Sequence, residues 1–156
     1  MRRTILVPME GSPLSMKALE TALTDYPDAE IVVVHVMDPI GSGLSLIDVM
    51  RPTFDDGSPP GSVSPEYWRE WREKAEQKAE AVFDEARETA AEHDRSVETV
   101  LEFGEPDNVI LEYAEGRDVD RIVMGSHCRS GADRFLLGSV AETVVKRAPA
   151  PVMVVR

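Results

Sequence analysis

Ile31-Val32-Val33-Val34-His35-Val36-Met37 is a run of apolar, mostly β-branched residues that His35 alone interrupts. A strand with one face in water alternates apolar and polar residues. A strand that does not alternate must be covered on both faces, as in parallel sheets flanked by helices. Upstream, Thr4 to Val7 (TILV) is a second short strand ending at Pro8. Ser12-Pro13 then supplies a helix N-cap and a first-turn proline. The helix is expected from Pro13 to about Tyr26, with Leu14, Ala18, Leu19, Ala22 and Leu23 on one stripe, before Pro27-Asp28 breaks it.

Downstream, residues 38–64 turn to glycine, proline and serine, a long connection in which Leu44 to Met50 is the one candidate for a short helix. Ser64-Pro65-Glu66 opens a long helix reaching about His93, with Trp71, Ala75, Ala79, Val82, Phe83, Ala86 and Ala90 on its apolar face. Its Glu, Lys and Arg residues form the solvated side. Val97 to Phe103 reads as a strand, Gly104-Glu105-Pro106 as a turn, and Pro106 to about Glu115 as a helix. Arg121 to Met124 is another buried-type strand. Gly138-Ser139 opens a helix carrying Val140, Val144 and Val145, Ala148-Pro149 ends it, and Pro151 to Val155 is the last strand. Five strands alternating with helices predict an α/β single domain over residues 1–156: an open, mainly parallel sheet in three α/β/α layers, with ligands at the carboxyl ends of the strands.

The 156 residues include 29 acidic and 17 basic ones, for a net charge of −12, which argues against nucleic acid as a partner. Lys17, Lys74, Lys78 and Lys146 are the lysines; the other basic residues are arginines. Abundant acid with little lysine suggests a salt-loving source. The single cysteine, Cys128, forms no internal disulfide, and the amino end has none of the sections of a signal peptide, so a reducing, cytoplasmic setting is expected. No apolar run approaches the roughly 20 residues of a membrane span.

The chemistry is expected between Gly125 and Val140. Gly125, Ser126, His127, Cys128 and Arg129 follow a strand, and Gly138, Ser139 and Val140 open a helix. Glycines admit backbone N–H groups to an anion, the helix start adds unpaired donors and a positive dipole end, and Arg129 and Arg134 offset the protein's negative charge. Read without function, Gly125, Gly131 and Gly138 are turn and cap residues.

Taken with Ile5-Leu6-Val7-Pro8-Met9-Glu10-Gly11-Ser12, Val34-His35-Val36, Gly104-Glu105-Pro106, Met124-Gly125-Ser126-His127, Leu136-Leu137-Gly138-Ser139-Val140 and Lys146-Arg147-Ala148-Pro149-Ala150-Pro151-Val152, the chain resembles the universal stress protein family. The resemblance implies a Rossmann-like, adenine-nucleotide-hydrolase-like sheet with the first strand central. It implies ATP or a related adenine nucleotide as ligand, with Mg²⁺ carried by the phosphates. Phosphates would meet the backbone from Gly125 to Arg129, with Ser139 and Val140, while base and ribose would lie near Pro8, Glu10 and Val36, beside Met124. A homodimer through the last strand, Pro151 to Val155, is also implied.

Two positions depart from the family pattern: the loop's second glycine is Cys128, and the usual Asp of the first loop is Glu10. The expected role is regulatory rather than catalytic, any hydrolysis being slow. One alternative is a nucleotide-free, dimeric interaction module; another is a redox sensor or enzyme using Cys128, whose neighbours His127 and Arg129 favour a thiolate. His35, His93 and His127 lack metal-ligand spacing, and His35 is read as a core or strand-end residue. Trp68 and Trp71 are expected to pack beneath the long connection or at a partner surface.

Overall fold

The computed structural model describes residues 2–39, 65–126 and 137–156. The elements in chain order are β1 (Thr4–Pro8), α1 (Pro13–Asp25), β2 (Glu30–Met37), α2 (Pro65–Glu92), β3 (Glu98–Phe103), α3 (Pro106–Gly116), β4 (Arg121–Gly125), α4 (Ser139–Arg147) and β5 (Val152–Val155). Their order and type match the sequence reading, and the bounds differ by a residue or so at each end. The short helix expected over Leu44 to Met50 lies outside the described residues.

The strands form one sheet in the order β3-β2-β1-β4-β5, every pair parallel. The fold is therefore a three-layer α/β/α arrangement with β1 central. Ile5, Leu6 and Val7 of β1 and Ile31 to Val34 of β2 are all buried. Alternate side chains enter two cores. Ile5, Val7, Ile31 and Val33 pack with Leu19 and Ala22 of α1 and Val82, Phe83 and Ala86 of α2. Leu6, Val32 and Val34 pack with Ile110 of α3 and Val144 of α4. Each such aliphatic side chain contributes about 1.5–3 kcal/mol when fully buried.

The helix ends show how these layers are fixed. Ser12 caps α1, its hydroxyl oxygen accepting from the Ser15 N–H at 3.2 Å, with Pro13 at the first position. The far end of α1 is closed from a distance: the Arg95 guanidinium donates to the carbonyls of Leu23 and Tyr26, each at 3.0 Å, and to that of Ala29. A cation on the terminal carbonyls also suits the helix dipole.

Two helices stop with an aspartate, not a glycine, in the left-handed position. After α2, Asp94 takes φ +53° while Arg95 N–H returns to Ala90 O and Asp94 N–H to Ala91 O. After α3, Asp118 takes φ +49°, with Val119 N–H on Ala114 O and Asp118 N–H on Glu115 O. Both are Schellman endings with aspartate in the left-handed position.

At the β3 edge, Trp68 and Trp71 meet edge to face at 5.9 Å, and Trp71 lies 5.9 Å from Phe103. The tryptophans thus pack on each other and on the end of β3. Trp68 remains 44% exposed. Among the described residues no helix is long and apolar enough to cross a membrane.

Replacing Arg95 by Met keeps the aliphatic stem and removes three charged donors, leaving the end of α1 open. The expected loss is roughly 2 kcal/mol of unfolding free energy, read from urea denaturation. An unchanged midpoint would show that water serves those carbonyls equally well.

Candidate functional site

Beyond Pro8 the chain leaves the sheet through Met9, Glu10 and Gly11. The Met9 N–H donates to the Val34 carbonyl at 2.8 Å, and the Met9 carbonyl accepts from His35 Nδ1 at 2.6 Å. Gly11 takes φ +93°, a conformation that side chains resist, so the turn into α1 requires glycine. The Glu10 carboxylate accepts from the Ser12 hydroxyl, the residue that also caps α1.

An apolar cleft of about 490 Å³ opens at the carboxyl ends of β1, β2 and β4. It is lined by Pro8, Met9, Glu10, Val34, Val36, Pro106, Ile110, Met124, Gly125, Gly138, Ser139, Val140 and Ala141. This is where the strand order reverses, between β1 and β4, the place at which open α/β sheets take ligands. The volume falls within the range of small-molecule sites. A larger depression, about 990 Å³, lies at the amino ends of the strands among Arg2, Arg3, Asp25, Asp28, Glu30, Asp94, Arg95 and Glu98. Its charges are of both signs, and Arg95 is already committed to three carbonyls. The smaller cleft is the better candidate on position and character.

Eight residues expected from sequence meet at this cleft: Pro8, Glu10, Val36, Met124, Gly125, Gly138, Ser139 and Val140. Ser126 is buried beside it, its N–H donating to the Val155 carbonyl at 2.9 Å. His127, Cys128 and Arg129, with Gly131 and Arg134, lie outside the described residues. Met9, Val34, Pro106, Ile110 and Ala141 also line the cleft and escaped the sequence reading. Val34 was recoverable from Val36 by strand alternation.

Chemically the cleft has three parts. Val34, Val36, Ile110 and Met124 make an apolar slot of a kind that suits a flat ring. Glu10 is the one ionisable residue of the described lining. Gly138, the cap of α4, has φ −62° and ψ 157° and provides no side-chain acceptor, so the first-turn N–H groups of Ser139 and its neighbours border the cleft without an intrahelical partner. That end is suited to an anion.

Gly125 has a packing reason for being glycine. A Cβ there would stand 2.9 Å from the Leu14 backbone carbon and Cβ and 3.0 Å from the Leu14 carbonyl oxygen. The start of α1 rests directly on the end of β4. Gly138 has an ordinary extended conformation, so its residue type is not imposed by φ.

The family model for universal stress proteins matches residues 1–156. The chain belongs to that family. It is 31% identical over 156 residues to the universal stress protein MJ0531 of Methanocaldococcus jannaschii, covering 99% of this chain and 82% of that protein. It is 31% identical over 155 residues to the universal stress protein YxiE of Bacillus subtilis, covering 97% of each. Among solved structures, MJ0577 superposes with a TM-score of 0.76 at 25% identity, covering 99% of this chain and 96% of that one. An Arabidopsis thaliana universal stress family protein with AMP bound gives a TM-score of 0.64 at 20% identity, covering 98% and 90%. The Archaeoglobus fulgidus universal stress protein in complex with dAMP gives 0.59 at 19% identity, covering 100% and 98%.

His35 lies under the cleft, on the opposite face of β2 from Val34 and Val36. It is buried, and its ring stands edge-on to Phe83 at 6.3 Å. Burial holds its imidazole below the ordinary value of about 6.5; Lys78 acts in the same direction, while the Met9 carbonyl and Glu10 oppose it.

Two outcomes follow. Gly125→Ala is expected to cost roughly 1–3 kcal/mol by overpacking against Leu14, read as a lowered denaturation midpoint. For His35, a depressed native pKa means that the unfolded state binds the proton first as pH falls. The stability it contributes is complete above about pH 6.5 and is lost as pH drops through that value toward the native pKa. Between about pH 7.5 and pH 5.5 the wild type should therefore lose more unfolding free energy than His35→Asn, and equal slopes would contradict this.

Proposed function

We propose that this universal stress protein binds an adenine nucleotide in the cleft between β1 and β4 and acts as a regulatory rather than a catalytic protein. The observation that carries the reading is the conjunction of an apolar slot, a carboxylate and an uncapped helix start in one cleft at the switch point of the sheet. Val36 and Met124 would flank the base, Pro8 and Glu10 the ribose, and the backbone from Gly125 through Ser126, His127, Cys128 and Arg129, with Gly138, Ser139 and Val140, the phosphates. The AMP and dAMP complexes of the Arabidopsis and Archaeoglobus proteins support an adenine nucleoside monophosphate as the common ligand unit.

ATP extends the same pose, and Mg²⁺ would arrive on its phosphates. Among the described residues no group of three carboxylate, histidine or cysteine side chains is placed to hold a metal. Glu10 sits at the ribose end of the proposed pose, so the described lining has no general base for phosphoryl transfer. Nucleotide binding would stabilise one arrangement of the loop after β4. A homodimer would form through β5, an outer strand of the sheet whose far edge has no neighbour among the described strands. The setting would be cytoplasmic, and the acidic, lysine-poor composition suits a salt-rich one.

A second reading, a nucleotide-free interaction module, is favoured by the sequence resemblance, which would put Cys128 where the family's ATP-binding loop has a glycine. A thiol-based redox role would rest on the same residue. Calorimetric titration of AMP, ATP with Mg²⁺, and GTP into the wild type and Cys128→Gly, at low and high salt, separates these. Adenine-selective binding by the wild type is the expected result. Recovery of binding only in Cys128→Gly would move the protein to the second reading, and silence from both would overturn the nucleotide reading.

A further inference from the structure

We propose that His35, which does not line the cleft, positions its acidic rim: the Nδ1–H bond to the Met9 carbonyl sets the Met9–Glu10 peptide, and with it the place where Glu10 meets a bound ribose. This rests on the nucleotide reading for its ligand, though the positioning itself is a property of the free protein.

The β1–β2 ladder has Pro8↔Val34 as its last register pair. Met9 is the next residue, and both of its backbone groups are held by β2: its N–H by the Val34 carbonyl at 2.8 Å and its carbonyl by His35 Nδ1 at 2.6 Å. That carbonyl belongs to the same planar peptide as the Glu10 N–H, so fixing one fixes the other. The imidazole takes the place of a backbone donor at the point where the chain turns away from the sheet toward Gly11.

A carbonyl only accepts, so Nδ1 must carry the proton. In the neutral ring Nε2 is then a lone pair, 3.0 Å from Met37 Sδ. A second proton would point at a thioether, a weak acceptor, inside a core where His35 is 1% exposed. The charged and titratable groups around the ring come from two other elements: Glu10 of the β1–α1 connection favours the imidazolium, and Lys78 of α2 opposes it. Phe83 of α2 closes the remaining side. A histidine in an otherwise apolar core is costly unless its polar atoms are used. Here one holds the peptide that leads into the site.

The test uses the full chain, with His35→Asn, whose amide can still donate to Met9 O but does not titrate, and His35→Leu, which keeps bulk and loses the donor. AMP affinity is measured at about pH 7.5, each variant as a ratio to wild type. His35→Leu should bind roughly tenfold more weakly and His35→Asn within about twofold of wild type at neutral pH. Equal affinity of His35→Leu and wild type would overturn the proposal, as would a His35→Asn variant that binds as weakly as His35→Leu.

The Glu10 amide resonance of the ligand-free wild type supplies a readout that needs neither variant nor nucleotide. It should titrate with the midpoint of the His35 ring resonances, and a Glu10 amide indifferent to that midpoint would overturn the positioning role. If AMP fails to bind the wild type while this amide follows the ring, the ligand reading fails and the positioning stands.

Discussion

The burial of both faces of β1 and β2 constrains the rest of the molecule. Once Ile5 to Val7 and Ile31 to Val34 are all inside, no sheet face can be left to water, and helices must cover each side. Parallel neighbours need a crossover for every connection, so each strand begins at one end of the molecule and finishes at the other. The carboxyl ends of β1, β2 and β4 therefore converge. Where the order reverses between β1 and β4, successive connections go to opposite faces and leave a gap. The apolar cleft is that gap, with α3 and α4 as its far wall.

The close approach at Gly125 shows how little freedom that arrangement allows. The backbone of Leu14 occupies the space a side chain would need, so the position of α1, the path of β4 and the mouth of the cleft are a single geometric solution. Glycine here serves helix–strand contact whether or not phosphate is ever bound. Residue type at this position is therefore a weak guide to ligand binding. The uncapped start of α4, which has no such packing duty, is a stronger one.

Most strands were legible because their apolar runs are continuous, and α1 and α2 because a cap, a first-turn proline and a 3.6-residue stripe agree. Eight cleft residues were legible through the family resemblance together with the strand ends and helix start that carry it. The helix stops after α2 and α3 were legible to within a residue, but not the means of stopping, since Asp94 and Asp118 sit in a left-handed position that glycine usually marks. The Gly125 contact joins positions more than a hundred residues apart, and Ile110 reaches the cleft through the packing of α3. Neither is a property of any local window. His35 was read as a core residue, which it is, but a sequence does not reveal which carbonyl a buried imidazole meets.

The Arg95 clamp has a consequence for the order in which the chain acquires its structure. The guanidinium that closes the end of α1 lies 72 residues after Leu23 and 66 after Ala29. During synthesis the first βαβ unit emerges with its terminal carbonyls facing water, well before the residue that will satisfy them exists. That unit is finished only when α2 has docked and the turn that follows it has delivered Arg95. The amino half of the protein therefore matures as one piece, sealed by a side chain that arrives last.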